Sequence, residues 1–96
     1  MAEPTITDNT AEHRYEAHLD GELAGYLVYE QDGEVVDLPH TKVFSQYEGK
    51  GVAGALVRHG LDDIRARGGL TVTPTCPYVE KWIQRHPDYA DLVHQA

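Results

Sequence analysis

The sequence predicts an α+β fold: a mostly antiparallel sheet, one long central helix packed on it, and a C-terminal helical segment. Three observations carry the prediction. Apolar runs before residue 45 are joined by Asp-Gly pairs, Asp20-Gly21 and Asp32-Gly33. One strongly amphipathic stretch follows a glycine-rich turn, and Gly68-Gly69 ends it. A short apolar run and a second helical pattern complete the chain.

Residues 1–11 are polar, with Pro4, Asp8 and Asn9 and no sustained period, and are expected to form a flexible N-terminal tail before a single domain over 12–96. From His13 to Leu19 the residues alternate, placing Tyr15, Ala17 and Leu19 on one face, which is the signature of a half-buried strand. Asp20-Gly21 suits a two-residue hairpin turn. The run Glu22 to Gln31 is too apolar for a loop, and Asp32-Gly33 closes it with a second hairpin signal. Glu34 to Phe44 carries Val35, Val36, Leu38, Val43 and Phe44, interrupted by Pro39. Proline has no ladder donor, so this third strand should bend, bulge or split there.

In the next stretch Ala53, Leu56, Val57, Gly60, Leu61 and Ile64 recur at helical spacing, while Arg58, His59, Asp62, Asp63 and Arg65 fall elsewhere. Gly60 costs about 1 kcal/mol relative to alanine in a helix interior, so it marks a close approach to the sheet. After Gly68-Gly69, a helix stop, Leu70 to Thr73 reads as a short strand. The segment Pro74-Thr75-Cys76-Pro77 is a rigid break before a helix over Tyr78 to Arg85 that buries Val79, Trp82 and Ile83. Pro87 blocks its continuation, and Asp88 to Val93 adds a last turn.

Ninety-six residues, 41% hydrophobic and 25% charged, fit one soluble domain with one core. A formal net charge of -8 argues against general nucleic-acid binding, which needs a basic face. No apolar run is long enough to span a bilayer and no leader is evident, so no membrane association and a cytoplasmic location are expected. A single cysteine, Cys76, allows no internal disulfide, and the six histidines show no metal-ligand spacing, so no metal is expected.

The chemistry concentrates at Glu48-Gly49-Lys50-Gly51-Val52-Ala53. Two glycines allow a tight backbone path, and the helix that follows leaves its first amides unpaired at a partially positive end. Such a turn is an anion site, above all for phosphate. Residues 49–54 spell G-x-G-x-x-G. The dinucleotide reading nevertheless fails, because antiparallel hairpins precede the turn and no acid ends the next strand. The Walker pattern fails for lack of a Lys-Ser or Lys-Thr pair after the glycines.

The order of meander, glycine turn, long helix, strand and second helix resembles the GNAT superfamily of acyl-CoA N-acyltransferases. Three motifs narrow the likeness to its very small YjdJ-type branch: His40-Thr41-x-Val43, Cys76-Pro77-Tyr78-Val79, and His86-Pro87-x-Tyr89-Ala90-x-Leu92. The resemblance runs from about His13 to Val93. It implies a GNAT-like fold, acetyl-CoA as cosubstrate, and acetyl transfer to an unidentified small or peptide amine. It also implies that backbone at Gly49, Lys50, Gly51, Val52 and Ala53 holds the diphosphate, and that Val43 and Phe44 line the pantetheine arm. Glu48 stands where the superfamily usually has glutamine or arginine, so its carboxylate must turn to solvent or pair with a cation such as Lys50.

Three residues are candidate catalytic groups. Cys76, in the place where the resemblance puts the acetyl group, can relay the acyl group, protonate the departing thiolate, or be an inert buried thiol. Tyr78 is a second candidate acid, since many relatives use a tyrosine after this strand, and His40 a candidate base near neutral pH. An acyl-CoA-binding module with an acceptor site left open or supplied by a partner is the alternative function. A non-binding interaction domain is the third reading. A monomer or weak homodimer is expected, because a small sheet exposes edges that can self-pair.

Overall fold

The computed structural model describes residues 3–94. Five strands lie in sequence order: β1 (Thr5–Asn9), β2 (Arg14–Leu19), β3 (Glu22–Asp32), β4 (Val35–Val43) and β5 (Thr71–Thr73). The first four pair antiparallel, and β5 joins β4 in parallel after the crossover helix α1 (Val52–Arg67). A short helix, α2 (Pro77–Arg85), and a 3₁₀ turn (Pro87–Leu92) follow. The expected α+β architecture is therefore present, with proline at the first position of α2, where its missing N–H is harmless.

Residues 1–11, read from the sequence as a tail, contain a strand that the periodicity did not reveal; Met1 and Ala2 lie outside the described residues. Strand β1 pairs with β2 from Thr5↔His18 to Asn9↔Arg14. Ile6 packs on the core. Asp8 accepts a 2.6 Å hydrogen bond from the Tyr29 hydroxyl and pairs with Arg67 at 3.0 Å, while Arg67 also meets Asp63 at 3.0 Å. Asp63 in turn accepts from the Tyr15 hydroxyl at 2.7 Å, so one network joins β1, β2, β3 and α1. Burial and the Asp8 carboxylate raise the Tyr29 pKa to about 12. Asp8→Ala is expected to destabilise the fold by about 1–2 kcal/mol, seen as a lower midpoint in urea.

Helix α1 lies over the sheet through Leu56, Val57, Gly60, Leu61 and Ile64, all buried. Gly60 is where the contact is closest: a Cβ there would stand 3.0 Å from Leu27 Cδ2 and 3.3 Å from the Tyr15 ring. The strand residues under the helix are Tyr15, Ala17, Leu27 and Leu38, also buried.

Two bulges set which residues face the helices. In β2–β3 the register passes from Ala17↔Gly25 to His18↔Leu23, leaving Ala24 as the extra residue. In β3–β4 it passes from Val28↔His40 to Glu30↔Asp37, so Leu38 and Pro39 together oppose Tyr29. Of the three outcomes expected at Pro39 the chain takes the bulge. The extra residue exchanges the faces: Val36 and Leu38 are buried before it, and Thr41 and Val43 take the half-buried positions after it. Exposed His40 and Lys42 are left on the open face, beside Tyr26.

Strand β5 pairs with β4 only over Val35–Asp37. Beyond that the Cys76 amide donates to the Leu38 carbonyl at 2.9 Å. The rest of β4, from His40 to Val43, runs on without a β5 partner. A wedge thus opens between β4 and the start of α2, bounded at its far end by the glycine turn. No helix in the structure is long and apolar enough to cross a membrane, and among the described residues no three His, Cys, Asp or Glu side chains cluster as metal ligands.

Candidate active site at the glycine turn

Strand β4 delivers the chain through a 3₁₀ turn (Ser45–Tyr47) to Glu48 and the glycines. Gly49 has φ +80° and Gly51 φ +78°, left-handed conformations that disfavour any residue with a Cβ. Gly51 caps α1, and the first helical bond runs from Ala55 N–H to the Gly51 carbonyl at 3.1 Å. The amides of Val52, Ala53 and Gly54 therefore have no carbonyl one turn earlier to receive them. No acid occupies the first turn of α1, so its partial positive charge is not offset by its own side chains. A Cβ added to Gly49 or Gly51 would meet nothing within 4 Å, which makes this a bare, open peptide cradle.

A cavity of about 480 Å³ lies against the cradle. It is lined by Glu48, Gly49, Gly51, Val52, Ala53 and Gly54 of the turn and helix start, and by Val43, Tyr47 and Tyr78. Seven of the residues singled out in the sequence meet here: Val43, Glu48, Gly49, Gly51, Val52, Ala53 and Tyr78. Glu48 is exposed, and among the described residues its carboxylate makes no ion pair, so of the two fates expected for it the turn to solvent is observed.

The remaining candidates lie elsewhere. Lys50 lines a neighbouring cavity instead. Phe44 lies with its ring edge-on to Tyr26 at 6.3 Å, and its amide donates to the Ala24 carbonyl at 2.9 Å. His40 is exposed beside Tyr26, ring centroids 6.2 Å apart. The bulge at Pro39 keeps His40 apart from Cys76 and brings Thr41 to it.

Cys76 is 7% exposed and does not line the cavity. Its Sγ lies 3.5 Å from Thr41 Oγ1. Burial pushes the thiol pKa up, but the Thr41 hydroxyl and the amides of Val79, Tyr78 and Thr41 outweigh it, and the net shift is downward. Although Cys76 is the N-cap residue of α2, no side-chain hydrogen bond closes that cap, so these amides act on the sulfur as nearby dipoles. Thr41 was not singled out in the sequence as a site residue; its signal is its position two residues past the strand proline.

Tyr78 is 43% exposed and hangs at the edge of the cavity. Its hydroxyl would lie 3.6 Å from a Cβ at Gly54, placing the phenol over the first turn of α1. Burial raises its pKa, with the Arg85 charge opposing, so the phenol stays protonated at neutral pH. Together the cavity offers an anion cradle, an unpaired strand edge and a proton donor. That combination suits an extended phosphorylated ligand.

A model of the GCN5-related N-acetyltransferase family matches residues 14–92. The chain belongs to that family. Protein NATD1 of Gallus gallus is 37% identical to it over 62 residues, 64% of this chain and 56% of the relative, so the match spans little more than half the length of that protein. Among solved structures, a GCN5-like protein from Staphylococcus aureus superposes with a TM-score of 0.73 at 17% identity, over 100% of this chain and 93% of that one. N-Acetylglutamate synthase from Neisseria gonorrhoeae, solved with coenzyme A and N-acetylglutamate, gives 0.58 at 18% identity, over 77% of this chain and 18% of that one. The GCN5-related fold is therefore shared at its full extent by a protein about as small as this one.

Proposed function

We propose that this protein is an acetyl-CoA-dependent N-acetyltransferase of the small YjdJ-type branch, acting in the cytoplasm on a small or peptide amine. The observation that carries the reading is the left-handed glycine pair opening α1 onto a cavity that Tyr78 also lines. The amides from Gly49 to Ala53 hold the diphosphate, each bond to a charged oxygen contributing roughly 1.5–3 kcal/mol. The Val43 edge of β4 accepts the pantetheine arm. Acetyl-CoA, when bound, supplies an acyl group already activated as a thioester. Tyr78 holds a proton at its hydroxyl for the sulfur that leaves. Cys76, buried and off the cavity lining, ties β4 to α2 and is assigned a positioning role, and His40, on the open face, has no part in the chemistry.

Thiol release from acetyl-CoA across a panel of amines tests the reading, beside calorimetry with coenzyme A. Tyr78→Phe is expected to lower kcat about a hundredfold while leaving coenzyme A affinity within a factor of two. Intact mass after incubation with acetyl-CoA should show no adduct; an acetyl group on Cys76, together with inactive Cys76→Ala, would restore the covalent relay. A second reading has its own support: β1 and β2 are joined by residues 10–13 alone, with no helix between them to build an acceptor wall. Tight coenzyme A binding with no turnover on any amine would favour a binding module completed by a partner.

A further inference from the structure

We propose that the open face of the sheet, around Tyr26, Lys42 and Phe44, is a docking surface for a protein segment that carries aromatic side chains and carboxylates. Both helices and the last 3₁₀ turn pack on the other face, in one buried cluster that includes none of these three residues. Among the described residues no element covers the open face. The pairing registers lay two rows of side chains across it: Glu16, Tyr26 and Lys42 in one, Arg14, Val28 and His40 in the next. Tyr26 is the centre. The Arg14 guanidinium stands 4.4 Å over its ring, and the rings of His40 and Phe44 lie 6.2 and 6.3 Å away. Lys42 Nζ stands 6.0 Å over the Phe44 ring. Tyr26, Val28 and Phe44 are only half-buried, with no second layer to complete their burial, so apolar and aromatic surface is left to solvent. Tyrosine, phenylalanine and arginine are the residues that protein interfaces concentrate.

Charge selects the partner. The chain has a net charge of -8, yet the one carboxylate in the two rows, Glu16, is already held by Arg14 at 2.8 Å and Asn9 at 2.9 Å. Lys42 is exposed and makes no ion pair among the described residues. A carboxylate laid beside it meets an uncompensated cation over an aromatic surface, where exclusion of water strengthens the attraction. Past the bulge at Pro39 the same face turns acidic, with Glu30 opposite Asp37, so the carboxylates of the segment belong at the Lys42 end. Other occupants fit less well. A second copy docked patch to patch would set Lys42 near its own counterpart, and a nucleic acid would meet the field of the whole acidic chain. Tyr26, Lys42 and Phe44 line neither of the cavities that meet at Gly51, and a pleated surface without a pit suits a polypeptide better than a small molecule. The cavity at the glycine turn is lined from β4 by Val43, on the helix side, so docking on the open face is read without coenzyme A present.

Amide chemical shifts of the intact protein, followed at low salt while a blocked peptide of alternating tyrosine and glutamate is added, decide it. Shifts are expected at Arg14, Glu16, Tyr26, Val28, His40, Lys42 and Phe44, and not at the exposed face of α1. The same peptide with lysine in place of glutamate should bind about tenfold more weakly. Lys42→Glu, an exposed substitution that leaves the core untouched, should weaken the glutamate peptide about tenfold and reverse the preference between the two peptides. Phe44→Ser should weaken both peptides about tenfold, since it removes aromatic surface and no charge. Equal binding of the two peptides by the wild type, or no effect of Lys42→Glu, would overturn the proposal. So would the absence of any shift at millimolar peptide. Tighter binding of oligothymidylate at the same residues would overturn it in favour of a nucleic acid. Shifts there that depend on protein concentration alone would overturn it in favour of a second copy.

Discussion

Gly25→Ala is expected to cost this fold about 3 kcal/mol or more, the largest loss for an added methyl at any of the nine glycines. A methyl group at Gly25 would press into the carbonyl oxygen of Lys42 and stand 3.2 Å from Val43 Cα. Both are backbone atoms of the neighbouring strand, held by the Gly25↔Val43 pairing, and no rotamer change can relieve the contact. The strand must therefore separate from β4 or lose its register there. For a domain of this size such a loss lowers Tm by roughly 12–24 °C. Gly60→Ala is the control, because its new Cβ meets side-chain atoms of Leu27 and Tyr15 at 3.0 and 3.3 Å rather than backbone, and gains about 1 kcal/mol of helix propensity. Its net effect should lie near zero. A melt in which Gly25→Ala loses no more than Gly60→Ala would refute the assignment of Gly25 as a close strand approach.

The contrast between those two glycines shows what was legible in the chain. Gly60 sits inside a clear 3.6-residue pattern, so its cost in helix propensity announces a compensating contact. Gly25 sits among residues apolar on both sides, where periodicity cannot separate a bulge from a regular strand. Strand β1 escaped for the opposite reason. Thr5-Ile6-Thr7 is β-branched throughout, but its stability comes from partners far along the chain, Tyr29 and Arg67, which no local window contains.

The site divides along the same line. Backbone chemistry was readable, because two glycines directly ahead of a helical pattern permit the left-handed turn that opens α1. Side-chain placement was less so, since the bulge that Pro39 induces in β4 reverses which residues face the helices. Thr41 reaches Cys76 as a result, while His40 and Phe44, chosen for their chemistry, lie beside Tyr26. Pro39 signalled only that the strand should bend, bulge or split, and the adjacent apolar pairs Val35-Val36 and Val43-Phe44 left the inward face undecided on either side of it.

Gly51→Asp should weaken coenzyme A binding by roughly thirty- to a hundredfold while Gly51→Asn weakens it only a few-fold. Aspartate and asparagine are nearly isosteric, and both tolerate the left-handed conformation that φ +78° requires. Neither would collide with the protein, since a Cβ there meets nothing within 4 Å. The two variants should therefore melt within about 1 kcal/mol of each other. What separates them is one negative charge beside the amides proposed to receive the diphosphate. At an effective dielectric near 20, two unit charges 4 Å apart repel by about 4 kcal/mol, and partial exposure reduces this to roughly 2–3 kcal/mol. Raising the salt from 50 to 500 mM should narrow the gap between the variants, because the charge difference is screened and the shape is not. If Gly51→Asp and Gly51→Asn bind coenzyme A equally well, no diphosphate sits at this turn. The amides of Val52 and Ala53 would then be satisfied by water alone, and the glycine pair would be explained by chain reversal rather than by a ligand.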